Sequence, residues 1–268
     1  GKIRLLTIFR KPPNGYNPGN DYIDADVTNA ITKGGVLASA WLAKLSPIRI
    51  LIEGRVVNNG SNTILAPNTK STGTCGVVLG GSLNDGSASI GIALGRAVKY
   101  GAEIKLGKVA NGPLVVNQIY IGNVLLKDYA SLEVLHDKGY ISFMTHPQKS
   151  GFYFGIDNMA SDDDYALLAH GRIVDKAAVI AGAVYTNELE SEVNTDANGY
   201  ISAADLKHLE RNIYQQIIAE MGDQISGADV FIDPNQNIVN LSALAINLGI
   251  RPKGYTSFIT VTIGLTSN

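Results

Sequence analysis

The chain has 268 residues, of which 45% are hydrophobic and 17% are charged, enough apolar material for one large α/β domain or two smaller ones. Lys and Arg number 22 against 24 Asp and Glu, without any basic run, which argues against nucleic acid as a partner. The apolar runs are too short to cross a bilayer and no signal segment precedes the first strand-like residues, so we expect neither membrane insertion nor secretion by a signal peptide.

The single cysteine, Cys75, excludes an intramolecular disulfide. It lies in an apolar run, where a buried and inert thiol is expected instead of a nucleophile. The chain enters strand-like residues directly after Gly1. We therefore expect that the N-terminal part of a longer protein is missing.

Residues 1–100 predict an α/β region that is incomplete at its N-terminus. Ile3 to Phe9 has the pattern of a strand, and a loop rich in proline and glycine follows at 11–20. An apolar stripe from Asp24 to about Leu45 indicates an amphipathic helix, although Gly34 and Gly35 weaken its middle. Ile48 to Arg55 is apolar on both faces, as in a buried parallel strand, and completes a βαβ unit. The stripe consists of Val27, Ile31, Ala38, Trp41, Leu42 and Leu45.

A second strand and helix follow the polar loop at 58–74. Thr74 to Gly81 has the pattern of a buried strand, and Ser87 to Val98 that of a short helix. The predicted fold class is therefore α/β, a mixed sheet flanked by helices. Residues 101–155 lose the helical period and predict a β-rich elaboration or an extension of the same sheet. Its β segments are Leu114 to Val116, Ile119 to Ile121 and Tyr140 to Met144.

Residues 156–268 predict an α+β region. Ser161 and the acidic run Asp162 to Asp164 supply a helix cap and first turn, before an apolar stripe that starts at Tyr165 and ends near Tyr185. Ser202 and Asp205 form a variant capping box for a second helix that ends near Met221. Strands are then predicted at Asp229 to Asp233, at Ala243 to Ile250 and at the end of the chain.

The predicted terminal strand is a candidate assembly device. Ile259, Val261, Ile263 and Leu265 alternate with small or polar residues, which is the period of a β-strand. A terminal strand can complete a sheet of its own domain, or its backbone can pair with another chain. The pattern alone leaves both alternatives open.

A loop at 194–205 is similar to an EF-hand calcium loop. Asn194, Asp196, Asn198 and Asp205 occupy ligand positions 1, 3, 5 and 12, and Gly199 stands at position 6. Position 1 is Asn instead of Asp, and position 12 is Asp, whose short arm reaches bidentate geometry less readily than Glu. The imperfect match favours the alternative, an Asn/Gly turn that leads into a capped helix, and no metal is predicted.

Other candidate chemistry has simpler structural explanations. Gly80 and Gly81 before the helix at Ser87 resemble a phosphate cradle, but the spacing matches neither the dinucleotide fingerprint nor the P-loop, so a tight turn is favoured. Asp162 to Asp164 is explained by helix capping. The four histidines have no metal-ligand spacing, and no cofactor is expected. They are His136, His146, His170 and His208.

Several short segments, in this order, resemble the C-terminal half of contractile phage tail sheath proteins, in particular the branch found in prophages and contractile injection systems. Ile48 to Arg55 and Ser89 to Ala97 resemble the α/β part of the same proteins. Their shared order is the evidence, since no single motif is diagnostic. The C-terminal segments are Gly151 to Phe154, Asp157 to Ala160, Asp163 to Tyr165, Arg172 to Ala177, Asp233 to Asn237, Arg251 to Tyr255 and Ile259 to Leu265.

The resemblance implies a structural subunit that polymerises in stacked hexameric rings around an inner tail tube and contracts to drive the tube through a cell envelope. It implies that the C-terminal strand pairs with arms of neighbouring subunits, and places the protein in the virion tail or in the bacterial cytoplasm where tails assemble. From the same resemblance we expect that the N-terminal arm and much of the N-terminal α/β region of a full sheath subunit are missing from this chain. The alternatives are a small-molecule-binding α/β protein or enzyme that uses the turn near Gly80, and a calcium-stabilised surface module.

Overall fold

A computed structural model describes residues 3–9, 23, 25–56, 64–130, 132–188, 191–241 and 244–256. The helices and strands in these ranges alternate over the first half of the chain, whereas the second half begins with two long helices. In chain order they are β1 (Leu5–Ile8), α1 (Ala25–Leu42), β2 (Arg49–Gly54), β3 (Cys75–Leu79), α2 (Ile90–Lys99), β4 (Tyr120–Ile121), β5 (Val124–Leu125), α3 (Leu132–Asp137), β6 (Tyr140–Met144), β7 (Tyr153–Phe154), α4 (Leu168–Glu188), α5 (Ala203–Met221), β8 (Ile225–Ile232), α6 (Ile238–Leu241) and β9 (Ile246–Pro252).

The main sheet has five strands in the order β1-β2-β3-β6-β7. The first four are parallel, and β7 is antiparallel to β6. Every residue of β2 and β3 is buried, because helices cover both faces of a parallel sheet. The predicted α/β class, with a mixed sheet and flanking helices, is confirmed.

Helices lie on both faces of this sheet. On one face α1 buries Val27, Ile31 and Ala38. Gly34 permits the close approach, since a Cβ there would lie 2.9 Å from Cys75 Sγ. On the opposite face of β2, Arg49 bonds to α4 and Glu53 accepts from the backbone before α2. The two glycines therefore do not interrupt α1, and one of them is required by packing.

The end of the first predicted helix does not join the core. α1 ends at Leu42, and Trp41, Leu42 and Leu45 are 45%, 48% and 49% exposed. The predicted amphipathic helix is therefore present, but the last part of its apolar stripe is not buried by the described chain. Periodicity identifies an apolar face but not whether the same chain covers it.

The predicted acidic cap of the fourth helix is also wrong. α4 begins at Leu168, and Tyr165, assigned to its apolar stripe, lies before it in a turn in which Asp163 Oδ1 accepts from the Tyr165 N–H at 2.8 Å. Asp157 caps the helix instead, with Oδ2 3.1 Å from the Ala169 N–H. An Asp run suits an Asx turn as well as a helix cap, so sequence alone did not distinguish them.

The middle of the chain contributes less strand than the sequence pattern indicates. Tyr140–Met144 is β6 of the main sheet, as an extension of that sheet requires. Leu114 makes only an isolated bridge to Phe152. The helix Leu132–Asp137 was missed, because six residues are too few to display a helical period.

The C-terminal part packs α4 and α5 together and places a two-stranded sheet, β8–β9, against them. β9 runs from Ile246 to Pro252, two residues beyond the predicted end at Ile250. The predicted strand residue Ala243 lies outside the described residues. Among the helices that the structure describes, none has the length and apolar character needed to cross a membrane.

Candidate assembly site

The β8–β9 sheet is the candidate assembly site. Its two strands are antiparallel, with Ile232 opposite Ile246 at one end and Ile225 opposite Pro252 at the other. Within the described ranges β8 and β9 pair only with each other. Each strand therefore carries one backbone edge that is not paired in the described chain, and such an edge can accept a further strand.

The long helices α4 and α5 pack against one face of this sheet. Ile225 and Ala228 of β8 are buried in one cluster with side chains of α4 and α5. Glu210 of α5 is buried and accepts the Ile232 N–H at 3.0 Å, which fixes the far end of β8 to the helix. The members contributed by α4 and α5 are Ile173, Ala177, Ile180, Ala181, Ile213, Ile217 and Met221.

A groove of about 630 Å³ runs beside β9. One wall is formed by Leu248 to Pro252 with Asp229, and the other by Asp163 to Leu167 and the first turns of α4. The Asp229 carboxylate is 3.1 Å from Arg251 Nη2 across the strand pair. The groove therefore separates β9 from the start of α4.

The predicted assembly residues Ile259, Val261, Ile263 and Leu265 lie outside the described residues, which end at Thr256. Their role in assembly stays a prediction. The structure places the residues before them, since Pro252 lines the groove at the end of β9.

A buried ion pair joins the main sheet to the helical layer. Arg49 on β2 donates Nε and Nη2 to the two carboxylate oxygens of Asp175 on α4, each at 2.7 Å. Its remaining N–H groups reach the carbonyls of Gly73, at 2.6 Å, and Gly171, at 3.2 Å. All parts of this buried charge pair are satisfied, as such a pair requires. Sequence reasoning missed it, because the two residues are 126 positions apart.

The calcium-like loop is closed by its own hydrogen bonds. Asp196 Oδ1 accepts the N–H groups of Asn198 and Tyr200 at 2.8 and 3.0 Å. Asp205 Oδ2 accepts the backbone and side-chain N–H groups of Asn194 at 2.8 and 3.1 Å, and these bonds lower the pKa of Asp205. Ser202 Oγ caps α5 by accepting the Asp205 N–H. The oxygens serve a turn and a cap, and the expectation that this loop is a turn without calcium stays a prediction.

The glycine turn has few donors left for a phosphate. Gly81 N–H donates to Tyr120 O at 2.9 Å, and Ser89 N–H to Gly80 O at 2.9 Å. Ser82 N–H is bound by Ser89 Oγ at 3.0 Å. The buried Glu53 carboxylate accepts from Ala88 N–H at 3.2 Å, in the place where a phosphate would approach the start of α2. The geometry is that of a tight turn, with Gly80 at a φ of 95°.

The remaining candidate ligands lie apart. In the described part of the chain, no three His, Cys, Asp or Glu side chains are grouped as a metal site. His136 lies beside Ser142, His146 against Tyr153, and His208 beside Asn212. Cys75 is fully buried, and burial raises the pKa of its thiol to about 11, as expected for an inert thiol.

Comparisons with known proteins agree with the sequence resemblance. No protein-family model matches the chain, and no curated protein matches it in sequence. Solved structures do match: a chain of the baseplate of the anti-feeding prophage is 13% identical with a TM-score of 0.61, over 100% of this chain and 70% of that one. A chain of the contracted helical sheath of the same prophage is 17% identical with a TM-score of 0.55, over 90% of this chain and 68% of that one.

A third structure is the contracted PVC sheath complex of an extracellular contractile injection system. It is 11% identical with a TM-score of 0.51, over 81% of this chain and 64% of that one. At these identities the comparison concerns the fold. The chain has the fold of proteins that build the sheath and baseplate of contractile injection systems, as its sequence motifs predicted.

Proposed function

We propose that this chain is a structural subunit of a contractile sheath, which polymerises around an inner tube and contracts to drive that tube through a cell envelope. The observation that carries the proposal is the β8–β9 sheet, a rigidly supported two-stranded sheet in a chain with a sheath fold. Its mechanical step is a change in subunit packing and involves no catalysed bond. Its place is the virion tail, or the bacterial cytoplasm where tails assemble.

In this proposal neighbouring subunits connect by strand addition. The terminal strand, Ile259 to Leu265, pairs with the β9 edge of a neighbour, and its alternating apolar side chains cover one face of the enlarged sheet. Each backbone hydrogen bond gained in this way contributes about 0.5 to 1.5 kcal/mol. A run of such bonds in every subunit yields a polymer in which stacked hexameric rings remain connected during contraction.

The exposed end of α1 supports assembly by a second observation. Leu37 and Trp41, which lie one helical turn apart on the same face, are exposed, although apolar side chains of this size are normally buried. Neighbouring exposed apolar side chains of this kind typically mark a protein interaction surface. A sheath subunit has several contacts with its neighbours, and this surface fits a contact other than strand addition.

The strand connection is tested by cysteine cross-linking between subunits. Cys75, the one cysteine of the sequence, is buried, so the introduced cysteines supply the accessible thiols. One subunit carries Asn247→Cys on β9 and a second carries Thr262→Cys, and the two are mixed before assembly and oxidised. We expect a disulfide-linked dimer that contains one subunit of each kind.

The control replaces Asn247→Cys by Lys70→Cys, an exposed position in the 3-10 turn at Pro67–Lys70, outside the groove. This pair should remain unlinked under the same conditions. Equal cross-linking in both mixtures, or none with Asn247→Cys, would contradict strand addition at β9.

A further inference from the structure

Tyr255 is held by a cluster of charged and aromatic side chains just before the described chain ends. The Tyr255 hydroxyl donates to Glu103 O at 2.7 Å. The His170 ring stacks on the Tyr255 ring, with centroids 5.6 Å apart and planes 28° apart. Lys105 Nζ lies 5.2 Å from the Tyr255 ring centroid. We call these four residues, with Asp157 and Arg172 behind them, the Tyr255 cluster.

The residues around Tyr255 come from three parts of the chain, namely the segment after α2, the segment after β7 and helix α4. Asp157 caps α4 and is buried, and its Oδ1 atom lies 3.7 Å from Lys105 Nζ. Arg172 on α4 donates to the carbonyls of Gly101 and Tyr100, both at 3.3 Å. Burial, with Asp157 and Glu103 nearby, raises the pKa of Tyr255 to about 12, so the hydroxyl remains a donor at neutral pH. The tyrosine is thus bound to rigid parts of the chain.

A second contact holds the same segment two residues earlier. Lys253 Nζ donates to Asp223 O, in the turn between α5 and β8. Residues 253–255 have left β9 and belong to no helix or strand. Backbone of this kind has few internal constraints, so side-chain contacts fix its direction.

We propose that Tyr255 is a positioning residue that fixes the point and direction from which the terminal strand leaves the subunit for its neighbour. This inference rests on the proposed function. Ile259 follows four residues after Tyr255, which limits the start of the strand to within about 14 Å of a fixed point. A terminal strand that already begins at a restricted position loses less conformational entropy when it binds the neighbouring subunit. Preorganised binding segments gain affinity in the same way.

The rate of trypsin cleavage in the isolated subunit measures how well the Tyr255 contacts hold residues 253–255. The Lys253–Gly254 bond is cleavable, and the Arg251–Pro252 bond before it is not. We expect trypsin to cleave the Tyr255→Leu variant after Lys253 roughly tenfold faster than wild type, since the loss of the ring and hydroxyl contacts frees several residues. The same variant should form tubes with roughly tenfold lower yield. Tyr255→Phe keeps the ring contacts and should restore most of both properties.

The melting temperature separates positioning from folding. It should change little in either variant, because Tyr255 is only half-buried at the surface. Unchanged cleavage in Tyr255→Leu, or tubes formed at the wild-type yield despite faster cleavage, would overturn the proposal. If the Tyr255→Leu variant does not fold, His170→Ala removes the stacked ring alone. This variant should likewise show faster cleavage after Lys253 and a lower tube yield, and the opposite results would overturn the proposal. Wild-type protein that forms no tubes would instead refute the sheath function, and the positioning role with it.

Discussion

At the scale of single residues, the buried ion pair of Arg49 and Asp175 connects the main sheet to α4. The guanidinium of Arg49 leaves no room for a side chain at Gly171, where a Cβ would lie 2.6 Å from Arg49 Cζ. The Arg49 guanidinium also lies over the Tyr165 ring, at 5.6 Å from its centroid. The pair thus organises its surroundings, and both side chains are about nine-tenths buried or more.

Removing one member of this pair should strongly destabilise the subunit. Arg49→Met or Asp175→Asn leaves a buried group uncompensated, which costs about 3 to 5 kcal/mol of unfolding free energy. The double variant Arg49→Met/Asp175→Leu buries no charge and should recover most of this loss. Urea unfolding measures all three. A double variant as unstable as the sum of the single changes would show that the charges are not the reason.

His136 should make stability depend on pH. Burial lowers its pKa below the ordinary 6.5, although Asp137 and Glu133 partly oppose this. Its Nδ1 makes no hydrogen bond among the described residues, and its ring packs against Gly155. The folded state therefore binds the imidazole proton more weakly than the unfolded state, which takes it up below about pH 6.5. The unfolding free energy should fall as the pH drops through this value.

Urea unfolding at about pH 7.5 and about pH 5.5 tests this pH dependence, by comparing the unfolding free energies of wild type and the His136→Gln variant. The variant cannot take up the proton and should lose less stability between the two values. The same loss in both proteins would assign the pH dependence to other groups.

At the scale of elements, the sequence predicted buried features best. The parallel strands β2 and β3 and the helix α5 follow from apolar runs and a capping pattern that the structure reproduces. The start of α4 and the end of α1 could not be predicted in this way. Asp163 fits a turn as well as a cap, and Trp41 fits an interface as well as a core. Those choices depend on contacts between distant parts of the chain.

The loop before α5 should be indifferent to calcium. Asp196 and Asp205 already accept backbone N–H groups, so a cation would have to displace bonds that maintain the turn. We expect the same melting curve in about millimolar calcium, the range of weak extracellular sites, and in a chelator. Asp196→Ala should lower the melting temperature equally in both solutions. A rise with calcium that disappears in Asp196→Ala would instead establish a metal site.

At the scale of the whole molecule, the resemblance read from short motifs agreed with the fold, because their order reflects the order of the elements. Ile48 to Arg55 contains β2, and Arg172 to Ala177 lies within α4. The candidate site was only partly predictable. Alternation indicated the terminal strand, but the pairing of β8 with β9, the groove beside β9 and the contacts of Tyr255 arise from residues far apart in sequence.

The central claim is that the terminal strand assembles subunits without being needed to fold them. Three clusters of buried apolar side chains lie within the described residues, one around the main sheet, one between α4, α5 and β8, and one that joins the start of α5 to the end of β8. The most direct measurement deletes Thr260 to Asn268 from the full-length protein and examines it by circular dichroism, size-exclusion chromatography and electron microscopy. We predict a folded monomer that forms no tubes. An unfolded product, or tubes that still form, would contradict the account.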